Sequence, residues 1–419
     1  MKLRADVETF ICCGGIAVAA ALLLSAARLS AKPPAASRGD SDAPITLQFF
    51  GLHRTLEDPW PTVPFGSWRQ GITWKACEPE KGVWDFKQAD EAVEQAIQHH
   101  VDLVADIGFV PRWASSTPDR TCRLKIPGQC AEPRNIDDWR EWVSTVATRY
   151  RGKVRYYEIW NEPNDGAFYT GSVNGLIQLT KVAREVVRGI DPEIKILSPA
   201  PYGRPGLEWM EKFLAGGGGD YSDIISFHFY VHPGPPESLY RYTQQVRKMM
   251  DRHGIGDRPL WDTEIGWGPI SQIDEQTGAE YVPRSMLLQR AAGASRVFWY
   301  GWGLHHPLDF VERDKTTPTP AGEALKTTED WLVGAVVESC DSSDMPQMKE
   351  PSHAPWTCVL RRGATKSYVL WHPDGDKRFS VPASWQVTRV HDMFGRVADL
   401  PSDGQITIHS YPVLLNNAQ

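Results

Sequence analysis

The chain has little with which to build a metal centre: among 419 residues there are seven cysteines, none in a CxxC spacing. Without that spacing a zinc module is not expected, and no metal site is assigned. Positive charge is not in excess either. With 45 basic against 52 acidic residues the net charge is -7, opposite to the basic footprint of a nucleic-acid binder, so nucleic acid is excluded as a partner. Long uncharged runs are scarce, which excludes a polytopic membrane protein. A composition of 41% hydrophobic and 23% charged residues also excludes a disordered acidic chain, a collagen and a coiled coil. What is abundant is tryptophan, with 17 residues beside 35 glycines and 32 prolines. The length suits two or three average domains, or one closed α/β barrel of roughly 250 residues with a smaller companion.

One uncharged run stands at the N-terminus, 18 residues from Phe10 to Ala27, after Lys2 and Arg4. It predicts a secretory signal peptide, with Ser25-Ala26-Ala27 as a small-x-small cleavage site and a mature start near Arg28. The alternative is an inner-membrane anchor through residues 10–27, because 18 residues is at the lower limit of a span. Either reading exports the protein, to the periplasm or beyond. Residues 28–44 then form a polar linker. In an oxidising compartment the local pairs Cys122 with Cys130 and Cys340 with Cys358 are the expected disulfides, leaving Cys77 unpaired.

From Ile45 onward short apolar runs alternate with amphipathic stretches. The runs end near His53, Trp74, Gly108, Asn161, Ser198, Tyr230, Glu264 and Trp302. Eight such alternations predict a (β/α)8 TIM barrel over residues 45–337, closed by a helix from Ala321 to Val337. Beyond it, short strand patterns, Trp385 to His391 among them, separated by turns such as Pro373-Asp374-Gly375-Asp376 predict a small C-terminal all-β domain over residues 338–419.

Two of the runs end in a carboxylate: Glu162, followed by Pro163 at the end of the fourth, and Glu264 at the end of the seventh. They lie 102 residues and three βα units apart, about 34 per unit, which puts both at the mouth where active sites of such barrels gather. Glu158 and Asp262 share their parity, lie deeper in the barrel, and are expected to belong to a structural network with partners such as Arg69 or Lys75. In the sixth run Ser226, His228 and Tyr230 alternate with Ile225, Phe227 and Phe229, so the polar set faces the barrel interior and the apolar set the helices. Plainer alternatives exist for both carboxylates: a helix-entry charge for Glu162, and a strand-end salt bridge for Glu264.

The segment Trp160-Asn161-Glu162-Pro163-Asn164 resembles the strand-four motif of clan A glycoside hydrolases, and Thr263-Glu264 resembles their strand-seven nucleophile. Gly108-Phe109-Val110-Pro111 looks like family 39, and Ser226-Phe227-His228-Phe229-Tyr230 is similar to the clan's strand-six segment; Ile265-Gly266-Trp267 departs from the family pattern. The resemblance implies an enzyme that hydrolyses O-glycosyl compounds with retention, for which the carboxyl groups must lie about 5–5.5 Å apart. Glu264 would be the nucleophile, kept ionised by Arg69, Tyr230 or His228. Glu162 would be the acid and base, its pKa lifted by repulsion from Glu264. Asn161 would hold the sugar 2-hydroxyl. Trp113, Trp267 and Trp302 follow run ends and are candidate platforms for stacking sugar rings, whereas Trp139, Trp142 and Trp331 sit in helical patterns and read as packing. A carbohydrate substrate and no cofactor are expected. The competing function is a non-catalytic carbohydrate-binding barrel in polysaccharide export or envelope structure.

Overall fold

The computed structural model describes residues 43–123, 125–267, 273–303, 308–344 and 352–417. The signal peptide or anchor expected at residues 1–27 lies outside them; among the described residues no helix is long and apolar enough to cross a membrane.

Eight strands form one parallel sheet: β1 (Phe50–Arg54), β2 (Ser67–Gly71), β3 (Asp102–Ile107), β4 (Tyr156–Ile159), β5 (Lys195–Leu197), β6 (Ile225–Phe227), β7 (Leu260–Ile265) and β8 (Ala294–Trp302). Their spatial order is β5-β4-β3-β2-β1-β8-β7-β6, and a parallel bridge between Leu197 and Ile224 joins the two edges into a closed barrel. The helices around it are α1 (Trp74–Cys77), α2 (Lys87–Gln98), α3 (Ile136–Arg149), α4 (Val173–Ile190), α5 (Gly203–Ala215), α6 (Glu237–Arg252), α7 (Glu275–Ala292) and α8 (Pro320–Leu332). In α3 the Asn135 side chain caps the N–H of Asp137, and the i, i+3 pair Trp139 and Trp142 turns inward. Trp142 then stacks parallel to Trp74 at 6.2 Å and to Trp84 at 6.3 Å. Trp139, Trp142 and Trp331 are all buried packing residues.

The N-terminal end of the barrel is plugged by Val104, Leu197, Ile224, Trp261 and Phe298. Arg296 lies over Trp261 at 4.3 Å and pairs with Asp102 at 2.8 Å. With that end filled by apolar side chains, the polar inward positions are left to the opposite, C-terminal end of the strands.

The C-terminal part is a six-stranded antiparallel sheet, built from β9 (Val336–Ser342), β10 (Trp356–Arg362), β11 (Thr365–Trp371), β13 (Arg389–Asp392), β14 (Val397–Asp399) and β16 (Val413–Asn416). A ribbon of β12 (Lys377–Ser380) and β15 (Gln405–Ile408) stands beside it. Alternation along β11 divides its side chains: Val369 and Trp371 join the barrel core, while Tyr368 and Leu370 enter a small core of their own. Both expected disulfides are present, Cys122–Cys130 and Cys340–Cys358. Cys77 is free, and burial pushes its thiol up to about 12, which leaves it unreactive.

Two local expectations fail. The last barrel helix stops at Leu332 rather than Val337, because Gly334 takes a left-handed turn (φ 84°) and the chain enters β9. The run from Trp385 to His391 opens as a 3-10 turn whose Gln386 also has positive φ, so the strand starts only at Arg389. Helix α5 gave no clear signal, since Gly203, Pro205 and Gly206 crowd its first turn.

Candidate active site

The end of β4 is a strained turn. Trp160 (φ 70°) and Glu162 (φ 42°) both occupy the left-handed region, and the turn is held by the Glu162 N–H on Ala200 O at 3.0 Å and the Trp160 indole N–H on Phe168 O at 2.8 Å. Such backbone persists only where its surroundings over-determine it. Here it aims the Glu162 carboxyl into the barrel mouth, where Oε1 shares a 3.0 Å hydrogen bond with Nδ1 of His228.

Glu264, on β7, accepts the Tyr230 hydroxyl at 2.8 Å and Arg69 Nη1 at 3.2 Å. Arg69 is almost wholly enclosed and serves four acceptors: Nε donates to Glu158, Nη2 donates to Asn161 Oδ1 at 2.9 Å and approaches Asp106 at 3.9 Å, and Nη1 reaches Glu264. One oxygen of Glu162, one of Glu264 and a ring nitrogen of His228 all lie within 4.8 Å of one another. The nearest oxygens of the two carboxyls are thus no more than 4.8 Å apart, a spacing compatible with the roughly 5 Å of direct attack. The same three atoms have the reach of a cation site, but the buried Arg69 guanidinium beside Glu264 opposes a second positive charge there.

Burial pushes the Glu162 carboxyl up to about 7; Arg69 and Arg123 pull it down, and Asp165 adds to the rise. The expected source of that lift, repulsion by Glu264, is therefore replaced by desolvation. Glu264 is also raised by burial and by Glu162, against the pull of His228, Arg69 and the Tyr230 hydroxyl. His228 is lowered to about 4, chiefly by burial, so it is neutral at ordinary pH. Burial opposes the charge on Arg69, but Glu158, Asp106 and Glu264 outweigh it and hold the guanidinium above its usual range.

Arg69, Asn161, Glu162, His228, Tyr230 and Glu264 thus converge on one cavity mouth, joined by hydrogen bonds. Glu158 is the partner of Arg69 beneath them. Asp262 accepts the Phe229 N–H at 3.2 Å and is raised well above the carboxylate range by burial. Lys75 does not join this network; it donates to Gln129 at 2.6 Å. Phe227 and Phe229 face outward onto Tyr242 of α6.

Two of the three expected tryptophan platforms are not open for stacking. Trp267 and Trp302 have no exposed surface, and stacking needs an open ring face. Trp302 pairs with Arg54 after a register shift that skips Gly301, so this bulge turns it away from the site. Trp267 packs between Trp299 and Tyr281. Trp113 is half-buried, with its indole N–H on Glu78 O, its edge against Trp74 and Lys81 over its ring. Residues that sequence reasoning passed over include Tyr300, half-buried beside His53 and within the field of both carboxylates, and the Arg123–Asp165 pair (2.6 Å) above Glu162. A strand-end aromatic was the available signal for Tyr300; the pair in the loops carried none.

Residues 70–258 match the model of glycosyl hydrolases family 39. The match covers 189 of the 419 residues, less than half of the chain, and marks the barrel as similar to this family of clan A. A solved family 39 glycoside hydrolase from Bacteroides cellulosilyticus WH2 superposes with a TM-score of 0.70 at 18% identity, over 90% of this chain and 82% of that one. At that identity the likeness is one of fold. Among curated sequences, the chain is 23% identical over 182 residues to a beta-xylosidase of Caldicellulosiruptor saccharolyticus (42% of this chain, 36% of the relative). It is 30% identical over 125 residues to endo-1,4-beta-xylanase 2 of Claviceps purpurea (29% of this chain, 36% of the relative). The matches span about a third of the length of these relatives. The departure at Ile265-Gly266-Trp267 has a local cause: a Cβ on Gly266 would stand 2.7 Å from the carbonyl oxygen of Tyr300.

Proposed function

We propose that the protein is an exported retaining glycoside hydrolase that cleaves O-glycosidic bonds of a poly- or oligosaccharide by double displacement. The observation that carries this is the pair Glu162 and Glu264, with carboxylate oxygens within 4.8 Å in differently tuned surroundings. Glu264 attacks the anomeric carbon while the proton on Glu162 passes to the departing glycosidic oxygen, so the C–O bond breaks without releasing an alkoxide. Arg69 and Tyr230 hold the attacking carboxylate in place and favour its charge. Glu162, now a carboxylate, takes a proton from water as the oxygen attacks the glycosyl ester and regenerates Glu264. Asn161 is oriented through Oδ1 by Arg69, which leaves its amide hydrogens for the sugar 2-hydroxyl. A barrel that only bound sugar would have no use for a carboxyl held near pKa 7 beside a second one. The names of the sequence relatives make β-linked xylose the first sugar to test, and the two disulfides support export.

Incubation with 4-nitrophenyl β-xyloside, xylan and a wider glycan panel tests the reading. Glu264→Ala should lose all turnover and regain it with azide, giving a glycosyl azide of inverted configuration, while the wild-type product first appears with the substrate's own anomeric form by NMR. Full activity in folded Glu162→Gln and Glu264→Gln proteins would rule the reading out.

A further inference from the structure

Beside the barrel mouth, between the first turns of α6 and α7 and the edge of the C-terminal sheet, lies a cavity of about 420 Å³. Its floor is built from buried groups. Nε and Nη2 of Arg284 form a two-pronged pair with Glu237 (2.9 and 2.5 Å), and the Trp371 indole donates to the same carboxylate at 2.8 Å. Glu237 has no exposed surface and Arg284 only 2%, so the guanidinium that lines the cavity cannot swing away. Around this floor stand Glu280 and Tyr281 from α7, Asp374 from the turn after β11, paired with His353 at 2.9 Å, and the hydroxyl of Ser410. Tyr281 is braced by Trp267, three residues beyond Glu264. Helix α7 starts at the end of the barrel where β7 delivers Glu264, so its first turns, which line the cavity, stand on the side of the carboxylate pair.

The lining selects a ligand class. An inorganic anion would meet the Glu280 and Asp374 carboxylates, a metal cation would meet Arg284, and an apolar ligand would strand the charged groups. A pyranose chain meets none of these objections: carboxylates accept from its hydroxyls and a guanidinium donates to them. The volume lies within the range of about 300–1,000 Å³ used by small-ligand sites. We propose that this cavity is a second carbohydrate subsite, which holds a stretch of uncharged polysaccharide outside the barrel mouth and retains the polymer between cleavages. The inference rests on the hydrolase reading for the identity of the polymer.

The test separates the two. Xylohexaose is titrated by calorimetry into Glu264→Gln protein and into the same protein carrying Glu280→Gln and Asp374→Asn, both isosteric and checked for an unchanged melting temperature. Two binding sites are expected in the first and one in the second. Alongside, the Glu280→Gln/Asp374→Asn pair in the active enzyme should raise KM for soluble xylan roughly five- to tenfold, the size expected for two lost hydrogen bonds, while 4-nitrophenyl β-xyloside, too short to reach the rim, is turned over as before. No binding, or the same number of sites in both proteins, overturns the subsite, and so does an unchanged KM for xylan. Two sites in a protein that hydrolyses nothing would sink the hydrolase reading alone.

Discussion

Arg69 shows how much one side chain does at this mouth. A guanidinium is planar and offers donors in fixed directions, so it can bond Glu158, Asn161 and Glu264 at once; a lysine ammonium at the same place reaches at most part of that set. Arg69→Lys should therefore lower kcat by about 10²–10³-fold, with the fold retained by circular dichroism and a stability loss of about 1–3 kcal/mol in urea unfolding. A kcat within threefold of wild type would remove Arg69 from the positioning of Glu264. The pH dependence follows from neighbouring groups. Glu162, at about 7, must carry its proton for the first step, so kcat/KM falls as pH rises through 7. Glu264, raised by burial above the usual carboxylate range, must lose its proton, so the acid limb lies above ordinary carboxylate titration and the optimum sits just on the acid side of neutrality. Asp106 is also pushed up to about 7 by burial, and the variants tell the two apart. In kcat/KM profiles with a 2,4-dinitrophenyl glycoside, which needs little acid assistance, Glu162→Gln should abolish the basic limb and Asp106→Asn should retain it. Neutral His228 contributes to neither limb.

At the scale of elements, what the sequence made legible is what alternation along a strand decides locally. Glu162 and Glu264 sit at strand ends, and Ser226, His228 and Tyr230 share one parity, so each could be placed from its own segment; which residue of β2 faces inward is open in the sequence, and the structure assigns that place to Arg69. Trp267 and Trp302 lie past the point where parity holds: one follows the end of β7, the other a bulge at Gly301 that no spacing announces. Arg123, Asp165 and Tyr202 come together only because separate loops meet above Glu162, a long-range fact absent from any window. Those loops depend on each other. Cys122–Cys130 closes the segment that carries Arg123, and the Thr170 N–H donates to Cys130 O at 2.7 Å, tying it to the loop of Asp165. Replacing both cysteines with serine releases a constraint worth about 2–3 kcal/mol for so short a loop. The effect on catalysis should be a several-fold rise in KM with kcat nearly unchanged, because Glu162 is held by β4 and β5 rather than by this loop. A fall in kcat at constant KM would instead place the disulfide in control of the carboxyls.

Over the whole molecule, the barrel and the C-terminal sheet share one core: Trp356, Trp371, Cys340 and Cys358 pack with the barrel cluster, and Trp356 stacks on Trp371 at 5.7 Å. At their junction the fully enclosed Glu237 binds Arg284 from α7 and Trp371 from β11. A buried ion pair contributes little net stability against an apolar replacement, yet breaking it leaves one charge without a partner. The two kinds of substitution should therefore diverge. Glu237→Ala strands the Arg284 guanidinium and should cost about 3–5 kcal/mol, whereas the double change Glu237→Leu with Arg284→Met should be near neutral. Guanidinium unfolding followed by tryptophan fluorescence and by far-UV circular dichroism reads both, and with a shared core the two signals should move together in every variant. If the sheet were an independent appendage, Glu237→Ala would separate the signals into two transitions and leave the later one, from the barrel, at its wild-type midpoint.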